Sequence, residues 1–301
     1  MKPPAFAYHA PSTLREALDV VGQYGDEARV LAGGQSLIPM MSLRLVRPAN
    51  LVDLRRVSSL RGIARRPGGL RIAAMTAQRE LEESDEVRRY CPLLAEATSH
   101  IGYLEIRNRG TVGGNVANAD PASELPAALL ALGASIRLEG NRGARTVPAD
   151  AFFVDAYTTV VAADEILTFI DVPDDPDATG AAFVEYTRRH GEFALVGVAA
   201  LATLSAEGIL DRGRKVVRAR IALSGAGPAP RRCVKAEACF DGAYPDAATL
   251  NAAAETAAEE VDPDDDIHAS ATYRRQLVRV LVTRAMTLAV ERASHKDTRV
   301  D

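Results

Sequence analysis

Several kinds of chemistry are excluded by what this chain does not contain. Its three cysteines, Cys91, Cys233 and Cys239, are scattered with no C-x-x-C spacing, which argues against a disulfide framework or a structural zinc. An all-cysteine iron–sulfur cluster takes more thiolates than the chain has. The five histidines, His9, His100, His190, His268 and His295, include no i, i+4 pair, so no metal site is expected. There is no G-x-x-x-x-G-K-[ST] and no G-x-G-x-x-G, which removes an ordinary P-loop and the usual dinucleotide fingerprint. Gly225-Ala226-Gly227-Pro228-Ala229-Pro230 comes nearest, but its prolines prevent the helix that should follow. Nor is there a Ser/His/Asp or Cys/His constellation, so no catalytic acid, base or nucleophile is expected.

No apolar run approaches the ~20 residues of a membrane-spanning helix, and Met1-Lys2-Pro3-Pro4 lacks the apolar core of a secretory signal. A cytoplasmic location is the expectation. The formal net charge is −4, which indicates neither a nucleic-acid footprint nor a polybasic membrane patch. With 301 residues, 47% hydrophobic and 25% charged, the composition suits two or three subdomains with sizeable cores.

Two glycine-rich segments stand out: Ala32-Gly33-Gly34-Gln35-Ser36 and Thr111-Val112-Gly113-Gly114-Asn115. Paired glycines allow positive φ and close approach to the main chain, and successive N–H groups form an anion-binding concavity. Either pair alone reads more simply as a tight turn. Ala28-Arg29-Val30-Leu31 before the first pair reads as a short buried strand, and strand ends carry ligand loops in α/β folds. A pyrophosphate is the expected guest, with the N–H groups of both loops as donors.

Thr13-Leu14-Arg15-Glu16 is a capping-box pattern, and Leu14, Ala17, Leu18 and Val21 recur at helical spacing, predicting a helix over Ser12 to Tyr24. Strands are expected at Ala28–Leu31 and Leu51–Leu54, closing a small α/β lobe. A second lobe, from about Leu60 to Val172, holds expected strands Leu70–Ala74, Ser135–Leu138 and Ile166–Ile170. Its expected helices are Pro92–Ile101 and Ala127–Leu132, the latter stopped by Gly133. Pro173-Asp174-Asp175-Pro176-Asp177 is the expected linker. Strands over Ala181–Thr187, Ala194–Leu204 and Val216–Ser224 follow, with a turn at Ala206-Glu207-Gly208, and helices over Ala247–Glu260 and Tyr273–Arg292 close the chain. Sheet first and helices after suggests an α+β domain. The acidic run Asp262-Pro263-Asp264-Asp265-Asp266 lacks the glycine and spaced glutamate of an EF-hand and reads as a solvated connector.

Ala32 through Met41, Arg107-Asn108-Arg109-Gly110 leading into Thr111–Asn115, and Ala119-Asp120-Pro121 together resemble the FAD-binding medium subunit of molybdenum hydroxylases, the family of the aerobic carbon monoxide dehydrogenase medium subunit and the xanthine dehydrogenase FAD-binding subunit. The resemblance continues through Arg188-Arg189-His190-Gly191-Glu192-Phe193-Ala194 and from Asp262 to Tyr273-Arg274-Arg275. It implies an α+β chain: a two-lobed PCMH-type FAD-binding domain over 1–175, with lobes of about 1–57 and 58–175, then a carbon monoxide dehydrogenase flavoprotein-type C-terminal domain over 176–301, an antiparallel sheet with helices.

Carried over by position, the resemblance assigns Ala32, Gly33, Gly34, Gln35 and Ser36 to the FAD pyrophosphate and Thr111, Gly113, Gly114 and Asn115 to the phosphate and ribityl chain. Glu124 stands where an acidic residue bonds the adenosine portion, Leu167 where an apolar backbone flanks the adenine, Ile101 where an apolar group lines the cleft, and Asp120 beside the flavin chain. Ile101 and Leu167 read equally as core, Glu124 as a helix-start charge and Asp120 as a turn residue. Relatives often carry a lysine near Phe183-Val184-Glu185-Tyr186; this chain has Val184 and Glu185 there.

The resemblance further implies an oxidoreductase subunit that relays electrons to a quinone, NAD or oxygen. Its partners would be a large molybdopterin-binding subunit and a small [2Fe–2S] subunit, in a dimer of heterotrimers, with membrane association only through the complex. A stand-alone PCMH-type flavin oxidoreductase and a non-enzymatic nucleotide-binding protein are the alternatives.

Overall fold

In the computed structural model, which describes residues 2–209 and 213–296, the chain opens with a small parallel layer. β1 (Ala7–His9), α1 (Leu14–Tyr24), β2 (Ala28–Leu31), α2 (Leu37–Ser42) and β3 (Asn50–Asp53) follow in order, and the strands lie side by side as β1-β3-β2, both pairings parallel. Helix α1 begins where the Glu16 N–H donates to Thr13 Oγ1 and the Thr13 N–H donates to Glu16 Oε2, which satisfies two donors a bare helix start would leave open. Its buried face, Ala17, Leu18 and Val21, packs with Val52, Leu54 and Ile166.

The second lobe comprises β4 (Ile63–Arg66), β5 (Gly69–Ala73), the short helices α3 (Gln78–Glu83), α4 (Asp85–Tyr90), α5 (Pro92–His100), α6 (Leu104–Arg107), α7 (Val112–Asn118) and α8 (Glu124–Leu132), then β6 (Ser135–Gly140), β7 (Gly143–Pro148), a small hairpin β8 (Phe153–Asp155) and β9 (Thr158–Thr159), and β10 (Glu165–Pro173). Its sheet is antiparallel with order β4-β5-β10-β6-β7. Every residue of α8 is buried, as expected of a helix apolar on all sides. Gly133 ends it in the left-handed region at φ 66.

The third sheet, β11 (Thr179–Tyr186), β12 (Val196–Ile209), β13 (Gly213–Ser224) and β14 (Arg231–Arg232), is antiparallel in sequence order, and α9 (Val234–Ala238), α10 (Ala247–Glu260) and α11 (Ala271–Lys296) complete the chain. The expected turn at Ala206-Glu207-Gly208 is not there: β12 runs on to Ile209, pairing Gly208 with Arg214 and Ile209 with Gly213. Small residues within a long two-stranded ladder had imitated a break. The acidic connector is a capping device: Asp266 accepts from the His268 and Ala269 N–H groups and Asp265 from Ala271, just before α11.

This sheet is covered on both faces, because its residues alternate in direction. Ala182, Val198, Ala200, Ile221 and Leu223 share a core with α9, α10 and α11, of which α11 lies against β11 and β12 and α9 against β13. Ala181, Phe183, Ala199, Leu201 and Ala222 enter the core that contains α8 and α5 of the preceding lobe. Gly180 permits the closest approach, since a Cβ there would stand 2.0 Å from the Ala289 carbonyl oxygen of α11. Buried Arg274 ties the strand ends together, donating to the Gly225 and Leu195 carbonyls and pairing with Asp266.

Candidate functional site

The first glycine segment leaves the end of β2, an edge strand of the parallel layer. Gly34 sits at φ 74, a conformation glycine adopts without the Cβ penalty. The Gly34 and Ser36 carbonyls accept from the Ile38 and Met40 N–H groups, and the Gln35 side chain donates to the Gly33 carbonyl. The N–H groups of Gly33, Gly34, Gln35 and Ser36 have no hydrogen-bond acceptor among the described residues. Ser36 is exposed and its hydroxyl makes no capping bond. Backbone N–H groups rarely go without a partner unless water or a ligand takes them, so this loop presents a group of open donors.

The second glycine segment is built differently from the expectation. It is not a loop but the first turn of α7, with Thr111 as N-cap. Its N–H groups are engaged: Val112 donates to the Thr76 carbonyl, Gly113 to Ala74, Gly114 to Thr111 Oγ1 and Asn115 to the Thr111 carbonyl. Its glycines serve packing instead, because a Cβ on Gly113 would meet the Ala74 backbone at 2.8 Å. What this segment offers a ligand is side-chain donors, the Thr111 hydroxyl hydrogen and the Asn115 amide, whose Oδ1 accepts from Ser123 Oγ at 2.8 Å.

The two segments touch. A Cβ on Gly33 would lie 2.2 Å from the Arg109 carbonyl oxygen, and one on Gly114 would lie 3.0 Å from the Ala32 Cβ. Their contact is anchored from below by Gln78, whose N–H donates to the Gly110 carbonyl, and by Arg107, paired with Glu82. Open main-chain donors on one wall, with hydroxyl and amide donors on the other, suit a phosphorylated cofactor such as FAD.

The remaining predicted residues spread outward. Ile101 (7% exposed) and Leu167 (6% exposed) both belong to the apolar core. The Ile101 carbonyl accepts from Arg107, and Leu167 precedes a bulge in β10 at which the Thr168 carbonyl accepts from Ala74. Asp120 follows Ala119, a left-handed residue that ends α7. Its carboxylate accepts from the Ala122 N–H and the Tyr157 hydroxyl. Burial and the nearby Asp120 charge push the Tyr157 phenol up to about 12, so it remains a donor.

Glu124, the first residue of α8, is almost wholly buried. Burial, then the charge of Glu185, pushes its carboxyl up to about 8. Glu185 lies across on β11, one oxygen 3.3 Å from His100 Nδ1 and the other, Oε2, buried without a hydrogen-bond partner. The bond to Glu185 raises the His100 imidazole above its ordinary value. Neither Glu185 nor His100 was predicted as a site residue. The available signal was phase: Glu185 shares the inward alternation of Ala181 and Phe183, where an unpaired acid is out of place.

Two depressions, of about 470 and 490 Å³, border Gly68, Arg71 and Asp171 and, separately, Thr272, Arg275 and Arg279; neither includes a glycine-segment residue. Among the described residues no His, Cys, Asp or Glu cluster is arranged for a metal ion, and no helix is long and apolar enough to cross a membrane.

Residues 4–175 match the family model described as the FAD binding domain in molybdopterin dehydrogenase, and residues 181–289 match the CO dehydrogenase flavoprotein C-terminal domain. The chain is 38% identical to the 6-hydroxypseudooxynicotine dehydrogenase complex subunit alpha of Paenarthrobacter nicotinovorans over 97% of both chains. It is 37% identical to the carbon monoxide dehydrogenase medium chain of Hydrogenophaga pseudoflava, covering 98% of this chain and 100% of the relative. Among solved structures, a carbon monoxide dehydrogenase from Hydrogenophaga pseudoflava superposes with a TM-score of 0.93 at 38% identity, covering 97% of this chain and 99% of the other. Quinoline 2-oxidoreductase from Pseudomonas putida 86 superposes with a TM-score of 0.90 at 36% identity, with the same coverage.

Proposed function

Because the chain belongs to the family of FAD-binding medium subunits of molybdenum hydroxylases, we propose that its two glycine segments are opposite walls of one FAD cleft with unequal tasks. The observation that carries this is the division of donors. The N–H groups of Gly33 to Ser36 are open, whereas those of Val112 to Asn115 are engaged. Ala32 to Ser36 therefore hold the pyrophosphate by main chain, with the Ser36 hydroxyl adding a donor. Thr111 and Asn115 add side-chain hydrogen bonds, while Gly113 and Gly114 keep the walls close. Asp120, held by Tyr157, and Glu124 bound the polar side of the cleft; Ile101 and Leu167 form its apolar floor.

When bound, FAD would supply the redox chemistry between an iron–sulfur centre and an acceptor. The chain's own residues bind and orient the cofactor and exclude water from the walls. The partners we propose are a large molybdopterin-binding subunit and a small [2Fe–2S] subunit, arranged as a dimer of heterotrimers in the cytoplasm, with a quinone, NAD or oxygen as acceptor. The division of the chain at 175/176 belongs to the same proposal and is supported by the matched residue ranges.

Reconstitution tests it. The full chain assembled with matched large and small subunits should be yellow and should pass electrons from the large subunit's substrate to an added acceptor. A preparation that cannot be loaded with FAD, or steady turnover of an organic substrate by this chain alone, overturns the assignment. Ser36→Ala should weaken FAD binding by about tenfold, the worth of one hydrogen bond to a charged group.

A further inference from the structure

Where α8 and α5 rest on the third sheet, His100 bonds Glu185 and Glu124 lies within electrostatic reach of that pair, an arrangement that binding and orienting FAD leaves unexplained. Glu124 is 4% exposed, one residue past Ser123, which bonds Asn115 in the cleft wall. The Glu185 side chain is 7% exposed, with its Oε2 unpartnered. His100, its side chain 36% exposed, bonds the other Glu185 oxygen and opens the cluster to solvent. The charged groups acting on Glu124 are Glu185 and Asp120, both acidic. Those acting on His100 besides Glu185 are Glu96 and Arg107, and these are already paired with Arg292 and Glu82. Two buried carboxyls with no cation of their own between them cannot both ionise cheaply. Glu185 has the His100 imidazole to pair with, whereas the charged groups acting on Glu124 include no cation.

We propose that FAD binds this chain together with a proton: Glu124 meets the cofactor as a neutral carboxylic acid that donates a hydrogen bond, and Glu185, anchored by His100, is the positioning residue that keeps the proton there. The proposal rests on the FAD assignment and deepens it. An ionised Glu124 would repel a pyrophosphate-bearing ligand across a poorly solvated cleft, whereas the acid form adds a donor. The usual role of an acidic residue, accepting from ribose hydroxyls, requires the opposite protonation state and gives the opposite pH dependence. Burial and the Glu185 charge, which raise the Glu124 carboxyl to about 8, place the transition in a measurable range.

The test is FAD affinity of the full chain, within its assembled complex where needed, from neutral pH to one unit above that value. The parent should bind evenly up to about pH 8 and then weaken about tenfold per pH unit, as one-proton linkage requires. Calorimetry in two buffers of different ionisation enthalpy should read one proton taken up per FAD above the break. Glu124→Gln, which keeps a donor and the shape but cannot ionise, should lose the pH dependence of FAD binding. Glu185→Gln should move the break to lower pH, a shift that a merely structural role would not produce. Where Glu124→Gln fails to fold by circular dichroism, the Glu185→Gln break decides, and an unmoved break overturns the proposal. Affinity that rises with pH, or is flat in the parent, also overturns it while leaving the FAD assignment intact. No FAD bound at any pH sinks both.

Discussion

Gly33 and Gly34 are adjacent and do different things. Gly34 is needed for its backbone angle, φ 74, and Gly33 for a contact, since any Cβ there would run into the Arg109 carbonyl at 2.2 Å. Gly34→Ala should cost about 1–2 kcal/mol, the left-handed penalty, and show as a lowered urea midpoint with FAD still bound. Gly33→Ala must push the two segments apart, and should lose FAD while the C-terminal domain keeps its proteolytic resistance. Glu124 gives a pH prediction with a definite sign. Its folded value of about 8 lies above the ordinary 4.5, so the unfolded chain releases the proton first. Stability then falls as pH rises between those values, by up to about 1.4 kcal/mol per unit. Glu124→Gln should flatten that slope in denaturant titrations, and an identical slope in the variant would refute it. The glycine pairs stood out as a candidate site because they sat at a strand end and a helix start. That one pair offers N–H groups and the other offers only closeness was not legible, since the acceptors on Ala74 and Thr76 lie far from Gly113 in sequence.

Helix α7 shows what a single element contributes. It has seven residues, two of them glycines, so its own propensity is poor, and it depends on its cap and on bonds to the segment after β5. Thr111→Ala should cost about 1 kcal/mol, whereas Thr111→Ser should retain most of it; thermal unfolding of the pair separates cap from packing. Helix α8 is the opposite case, buried throughout. Leu129→Ala, in a fully enclosed position, should cost about 2–5 kcal/mol by chemical denaturation. A long element was readable in advance: α10 falls on the expected Ala247–Glu260. Of the short ones, β2 falls on Ala28–Leu31, but short helices were not readable. Helices α3 and α4 have six residues each, too few to show a period, and the second half of β12 is written in residues that also make turns.

At the scale of the whole molecule, residues of both domains meet in the core around α8 and α5. Arg292 of α11 pairs with Glu96 of α5 and donates to the Ala181 carbonyl, while Glu96 also accepts from the Phe183 N–H. Arg292→Ala would leave Glu96 without its cation at this seam and should cost about 1–3 kcal/mol, measurable as a lower Tm; an unchanged Tm would mean that apolar packing alone holds the junction. The proline-broken acidic run suggested a boundary, but the contact across it was not legible, because Ala181, Phe183 and Ala199 look like any strand interior. The contact between Gly33 and Arg109 has a consequence in time. The two segments are far apart in the chain, so the open N–H groups of Gly33 to Ser36 come beside the Thr111 and Asn115 side chains only after the first two lobes have closed on each other. Such non-local closure comes late in folding, and a ligand that binds only the closed form stabilises it by mass action. Cofactor supply during synthesis would then set how much chain reaches an assembly-competent state, making flavin availability a checkpoint on maturation.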